Sequence, residues 1–150
     1  MAFARQRRVA LAATIDIRTE RGVRALQLVN AHLEPLSSTR ALWVFTDPRR
    51  HQVQSILDLL NERRFTDPAN AGVVLGGDFN TIRAGHRESA YRLARAWATS
   101  QGEDDGRRTH LMGRLDYLFF RLDEGWKGST HRIDDRFGSD HSPVMGQFTR

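Results

Sequence analysis

Gly72-Val73-Val74-Leu75-Gly76-Gly77-Asp78-Phe79-Asn80 is the stretch on which the fold turns. Gly72 to Gly76 reads as a short buried strand, and Gly76 and Gly77 allow a sharp bend or a close approach of backbone. Asp78 and Asn80 are separated by one residue, so an extended backbone aims both the same way. Phe79 then points to the opposite side and can anchor the segment in a core. A carboxylate beside a carboxamide at a strand end can orient a water and hold a phosphoryl oxygen. Alone, Gly-Asp-x-Asn is also the pattern of an Asx turn that caps a strand.

Three further segments put similar groups beside strand-like runs: Asn30-Ala31-His32-Leu33, Arg114-Leu115-Asp116-Tyr117-Leu118-Phe119, and Ser139-Asp140-His141-Ser142-Pro143-Val144. Asp116 lies in a run that is apolar on both faces, which predicts a central buried strand. An ionised carboxylate there is costly unless paired, and His141 is its best partner. Such a pair fixes an imidazole's tautomer and stabilises its protonated form. The other reading of Asp116 is a structural carboxylate satisfied by backbone amides. Ser142-Pro143 breaks regular structure, so Asp140 and His141 can reach different targets, a hard metal and a phosphate oxygen respectively. His32 supplies a second imidazole, able to donate to a phosphoryl oxygen or assist a leaving group.

Around these segments the pattern alternates strands and helices. Val9 to Ile17 and Val23 to Asn30 read as a strand pair joined by a turn at Glu20-Arg21-Gly22. Leu26, Leu28, Asn30 and His32 share one face of the second strand, read as a core-facing row that ends at His32. Asp47-Pro48 is a helix-start signal, and Val53, Ile56, Leu57 and Leu60 repeat on one helical face. A second helix is predicted over Glu88 to Thr99, with Ala90, Leu93, Ala94 and Trp97 inward. Gln101 to Arg108 is polar and irregular. Strands are predicted over Arg114 to Arg121, Thr130 to Asp134 and Val144 to Phe148. The order argues an α/β fold, with sheets covered by helices, in one domain spanning 1–150. His51, His86, His110 and His131 show no partner pattern and read as surface or structural, and Glu34 as a solvated loop carboxylate.

Composition excludes several classes. The chain has 150 residues, 39% hydrophobic and 27% charged, which suits a globular domain with a real core. It has no Cys, so thiolate metal sites and disulfides are ruled out. Asp16 interrupts the apolar run after Arg5, Arg7 and Arg8, which argues against a signal peptide. No run approaches the roughly 18 apolar residues of a membrane helix. A soluble, cytoplasmic protein without membrane insertion is the expectation. The net charge of +5 suits a polyanion, yet Lys127 is the only lysine among 23 Lys and Arg, a bias that genome composition produces equally well.

From about Arg8 to Phe148 the motifs resemble the endonuclease/exonuclease/phosphatase superfamily, the DNase I-like metal-dependent phosphoesterases. The resemblance implies a DNase I-like four-layer α/β sandwich and a Mg²⁺ (or Mn²⁺) cofactor. It implies that Asp78 acts on the attacking water and contacts metal, and that Asn80 positions the water and the phosphate. Asp116 falls on the Leu-Asp-Tyr motif, whose Asp orients the catalytic histidine. Asp140 and His141 fall on Ser-Asp-His-x-Pro-Val, a metal-linked Asp and a phosphate-contacting His. His32 falls on the family's Thr-His-Leu segment, with Ala31 where Thr is usual. A histidine there is similar to DNase I, sphingomyelinases and inositol-phosphate phosphatases, and unlike apurinic-site endonucleases, which carry a tyrosine-containing segment.

The family opens with a strand carrying an Asn and another carrying a metal-ligating Glu, and neither has a counterpart before His32. The resemblance is therefore to the C-terminal portion of the domain, incomplete at the N-terminus. That implies weakened Mg²⁺ affinity, with Glu34 held in reserve as a ligand. It also implies an exposed sheet edge and apolar face that invite self-association. The function expected is hydrolysis of phosphodiester or phosphomonoester bonds by in-line attack of water, with nucleic acid among the candidate substrates. Two alternatives stay open. One is a weak or inactive truncated relative that binds a polyanion or a partner; the other is an Arg-rich nucleic-acid-binding domain.

Overall fold

The computed structural model describes residues 8–20, 22–35, 48–81, 89–98 and 103–150. Two long strands, β1 (Ala10–Thr19) and β2 (Gly22–His32), pair antiparallel across a tight turn. Helices α1 (Pro48–Leu60) and α2 (Arg63–Thr66) lead to β3 (Asn70–Asp78), and α3 (Ser89–Trp97) follows. The chain then forms β4 (Glu103–Asp104), β5 (Asp116–Leu122), β6 (Lys127–Arg132) and β7 (Val144–Thr149). The strands make a four-stranded sheet, β1-β2-β3-β5, and a three-stranded sheet, β4-β6-β7. Asp47, Glu88 and Thr99, used above as helix limits, and His86 lie outside the described residues.

Alternation along the strands separates two cores. Val29, Ala31, Leu33, Val73, Leu75, Tyr117 and Phe119 face the helices and pack with Val53, Ile56, Leu57, Leu60, Ala90, Ala94 and Trp97. Phe79 is fully buried in this cluster and meets Tyr117 and Phe119 edge-on, with ring centroids 5.9 and 5.2 Å apart. On the opposite face, Phe120 packs edge-on against Phe148 of β7, and Gly146 lies beneath Leu118. The described residues thus stack as helices, sheet and sheet, three successive layers of an α/β sandwich.

Several local expectations change. The row Leu26, Leu28, Asn30, His32 is not the helix-facing core row of β2: Val29, Ala31 and Leu33 are buried, whereas Asn30 and His32 are exposed. Both rows begin apolar, and only tertiary packing decides which meets the helices. Among the described residues β5 is not central either, β3 being its one neighbour in the four-stranded sheet. Its apolar character on both faces reflects layers above and below rather than strands on both edges. The polar segment 101–108 contains β4, a two-residue strand too short to give a periodic signal, and α2 was likewise not visible. β1 has one strand neighbour among the described residues, and its Leu11 and Ile15 are exposed.

Candidate active site

Strand register brings the first three polar groups together. At the ends of β2, β3 and β5, His32 pairs with Asp78 and Asp78 with Asp116. Pleating puts such directly opposed side chains on one face. His32 Nε2 lies 3.4 Å from Asp78 Oδ2. Gly77 makes the approach possible: a Cβ there would stand 1.8 Å from the Ala31 carbonyl oxygen, and its φ of +132° is one that glycine accepts. Gly76 similarly leaves room for Leu118 across the ladder.

Asp78 is half-buried and faces a like charge. Burial raises its carboxyl above the ordinary value of 3.8, and the charge of Asp116 adds to the rise. The Asn80 backbone N–H, donated to Asp78 Oδ1 at 2.8 Å, and the nearby His32 and His141 pull the other way without cancelling it. That bond closes an Asx turn. Asn80 sits at φ 52°, outside β3, so the extended backbone expected to aim Asp78 and Asn80 alike does not continue that far. Strand alternation therefore says nothing about Asn80. Its buried side-chain amide donates to the Leu33 carbonyl oxygen at 2.8 Å, and the buried Arg49 donates to the Asn80 carbonyl oxygen at 2.5 Å. In this geometry Asn80 ties the end of β2 to the turn after β3.

Asp116, the first residue of β5, holds the fourth group. His141 Nδ1 lies 2.8 Å from Asp116 Oδ2, which leaves Nε2 as the outward nitrogen. Partial burial alone would lower the imidazole, but the hydrogen bond and charge of Asp116 outweigh it, helped by Asp78 and Asp140. The net shift is upward from 6.5. The pairing chosen from sequence is present, in a half-buried rather than a fully enclosed setting.

Two residues that sequence reasoning passed over support this arrangement. Thr109 is fully buried; its hydroxyl oxygen accepts the N–H groups of Leu115 and Asp116, at 3.0 and 3.1 Å. Its carbonyl oxygen accepts the Ser142 N–H at 2.7 Å, so one residue fixes both the start of β5 and the segment carrying His141. The Ser139 hydroxyl accepts the His141 N–H at 3.1 Å. His110, read from sequence as partnerless, lies with Nε2 3.6 Å from Asp140 Oδ2 and its ring centroid 4.8 Å from that of His141. Neither Thr109 nor His110 sits in a periodic or motif-like segment, so only the fold discloses them. His51 is exposed, and Glu34 makes an ion-pair contact with Arg8 at 3.5 Å.

Among the described residues, possible cation ligands form two groups that share His141. Asp78, Asp116 and His141 present ligand atoms within 4.8 Å of one another, and so do His110, Asp140 and His141. Asp78 and Asp140 belong to different groups, and the Asp140 side chain is 80% exposed. The first group suits a hard divalent cation: two carboxylates face each other with Asp78 raised by burial and by its neighbour's charge, a setting in which added positive charge is favourable.

A family model described as the Endonuclease/Exonuclease/phosphatase family matches residues 7–141. No curated protein sequence matches the chain. Among solved structures, the human Nocturnin catalytic domain with bound sulfate is similar at 21% identity and TM-score 0.61, covering 95% of this chain and 52% of that one. A mannosyl-6-phosphatase from Bacteroides thetaiotaomicron is similar at 13% identity and TM-score 0.55, covering 95% and 57%. A Staphylococcus aureus beta toxin mutant with bound magnesium ions is similar at 13% identity and TM-score 0.55, covering 90% and 56%. The chain spans about half the length of these structures, and likeness at this identity establishes the shared DNase I-like α/β fold.

Proposed function

Because the chain belongs to the endonuclease/exonuclease/phosphatase family, we propose that it hydrolyses phosphate esters, with the row His32, Asp78, Asp116 and His141 as its reacting groups. The observation that carries the reading is the 2.8 Å pairing of His141 Nδ1 with Asp116 Oδ2, beside a half-buried Asp78 whose carboxyl is raised. A raised carboxylate is a better proton acceptor near neutrality, so Asp78 takes the proton of the attacking water. His141, whose charged form Asp116 favours, donates from Nε2 in that form to the phosphoryl oxygen on which charge grows. His32, more than half exposed and next to Asp78, assists at the rim.

Asp78 with Asp116 would hold Mg²⁺ or Mn²⁺; Asp140, the metal-linked residue that the resemblance implies, stands in the other group, with His110 and His141. When bound, such an ion neutralises phosphoryl charge and polarises the ester. Asn80 acts here through the turn that orients Asp78. The reading covers phosphomonoesters and phosphodiesters, nucleic acid being one such diester.

The test is hydrolysis of p-nitrophenyl phosphate and bis-p-nitrophenyl phosphate, with Mg²⁺ and with EDTA. Metal-dependent release of nitrophenolate that Asp78→Ala and His141→Ala both abolish is expected. Full activity in either variant would overturn the assignment.

A further inference from the structure

His110 is held as carefully as His141, yet nothing in the family motifs accounts for it. It opens a tight turn, bridging to Gly113 in both directions, with N···O distances of 2.9 and 3.1 Å. Within that turn the Met112 backbone N–H donates to His110 Nδ1 at 3.0 Å. A backbone amide only donates, so Nδ1 must carry the lone pair, and the proton of the neutral ring sits on Nε2. The turn therefore fixes the tautomer with its proton on Nε2, whereas Asp116 holds the proton of His141 on Nδ1. The side chain is 16% exposed, and Nε2 faces the Asp140 carboxylate at 3.6 Å, beyond hydrogen-bond length. Among the described residues no hydrogen bond engages that N–H. The same fixed tautomer argues against His110 as a cation ligand, because the nitrogen nearest Asp140 and His141 is the protonated one.

We infer that His110 is a second phosphoryl-oxygen donor, paired with His141 across the mouth of the site. Each ring has Nδ1 tied down, by Met112 N–H in one and by Asp116 in the other. His110 is thereby left with an N–H at Nε2; His141, whose Nδ1 proton goes to the carboxylate, has an N–H at Nε2 in its imidazolium form, the form that pairing with Asp116 favours. The ring centroids stand 4.8 Å apart, with the rings tilted by 42°. One ligand atom from each ring lies within 4.8 Å of the other, a spacing that two oxygens of one tetrahedral anion can bridge. The ligand class is the phosphoryl group itself, bound as a monoanion or dianion. Asp140, next to His110 Nε2, would share that group's vicinity and orient His110 when the phosphoryl group is absent.

This inference rests on the phosphoesterase reading, and the experiment separates the two. The probe is inorganic phosphate, titrated into the intact chain while the ring nitrogens of His110 and His141 are followed by ¹⁵N NMR. Free protein should show His110 protonated at Nε2, and phosphate should shift His110 and His141 together. His110→Phe keeps the ring and removes the donor; it should weaken phosphate binding and kcat/KM by roughly tenfold or more. His110→Gln returns an N–H near the Nε2 position and should recover most of that loss. An Nδ1-protonated ring, a His110 indifferent to phosphate, or a Gln variant no better than Phe overturns the inference. The wild-type titration needs no variant to fold. Nitrophenolate release with His110 silent would sink the inference alone; coupled phosphate shifts without turnover would sink only the hydrolase reading.

Discussion

Asp78 stands directly opposite Asp116 in the ladder between β3 and β5, two half-buried carboxylates with His141 bound to the second at 2.8 Å. A like-charged pair at a sheet end is unfavourable for the fold on its own. The imidazoles around it, His141 and His32, offset part of that cost and make the pair useful for chemistry.

The histidine of this cluster should titrate late. His141 is raised from 6.5 chiefly against its own burial by Asp116, so its ¹H–¹³C NMR titration is expected above 6.5. In Asp116→Asn the midpoint should fall. The sign for stability follows: a folded pKa above the unfolded one contributes stability fully present below the unfolded value and lost as pH rises through the folded value. Urea midpoints between pH 5 and 9 should show this loss in the wild type and a smaller one in Asp116→Asn.

Asp78→Asn should trade activity for stability. Burial raises Asp78 from 3.8, so the fold favours its protonated form, and stability falls as pH climbs through the raised value. The amide variant keeps an oxygen for the Asn80 N–H and carries no charge beside Asp116. Its urea midpoint at pH 7 should equal or exceed that of the wild type, while ester hydrolysis drops roughly a hundredfold to ten-thousandfold. A destabilised Asp78→Asn would show that the carboxylate charge supports the fold.

Thr109→Val should loosen the site from beneath. The change keeps volume but deletes the oxygen that accepts the N–H groups of Leu115 and Asp116. Two buried donors left unmet should cost about 2–4 kcal/mol. The His141 titration should also shift, because Asp116 moves. Thr109→Ser, which keeps the hydroxyl, should lose less than half as much in chemical denaturation.

Gly77→Ala should be the most damaging substitution in the strand. The new methyl would meet the Ala31 carbonyl oxygen at 1.8 Å, and φ +132° disfavours any side chain. A loss of more than about 3 kcal/mol is expected, read as a large drop in thermal midpoint. Gly138, also at positive φ but with open space around it, should tolerate alanine better.

Reading side-chain placement from sequence succeeds where a residue's neighbours along the chain constrain it. Phe79 had to face a core because it interrupts two polar residues, and it is fully buried. Asp116 had to find a partner because it sits in an apolar run, and His141 meets it. The reading failed at Asn80, where an Asx turn replaces the extended backbone, and at the row ending in His32, which faces away from the helices. Both errors come from treating alternation as decisive when a strand has ended or has two apolar faces.

By itself, then, the sequence determined the family, the α/β class, the existence of the long elements, and four polar groups in its motifs, three of them at strand ends. Those are local properties, set by periodicity, turn chemistry and the cost of burying charge. Only the tertiary structure decided which groups meet: strand register set His32 beside Asp78 and Asp78 beside Asp116, and Thr109 pinned the His141 segment to β5. It also brought His110 to Asp140, through a turn whose backbone fixes the ring. Contacts of that kind join residues distant in the chain, and their distances depend on how layers pack, which no local pattern encodes.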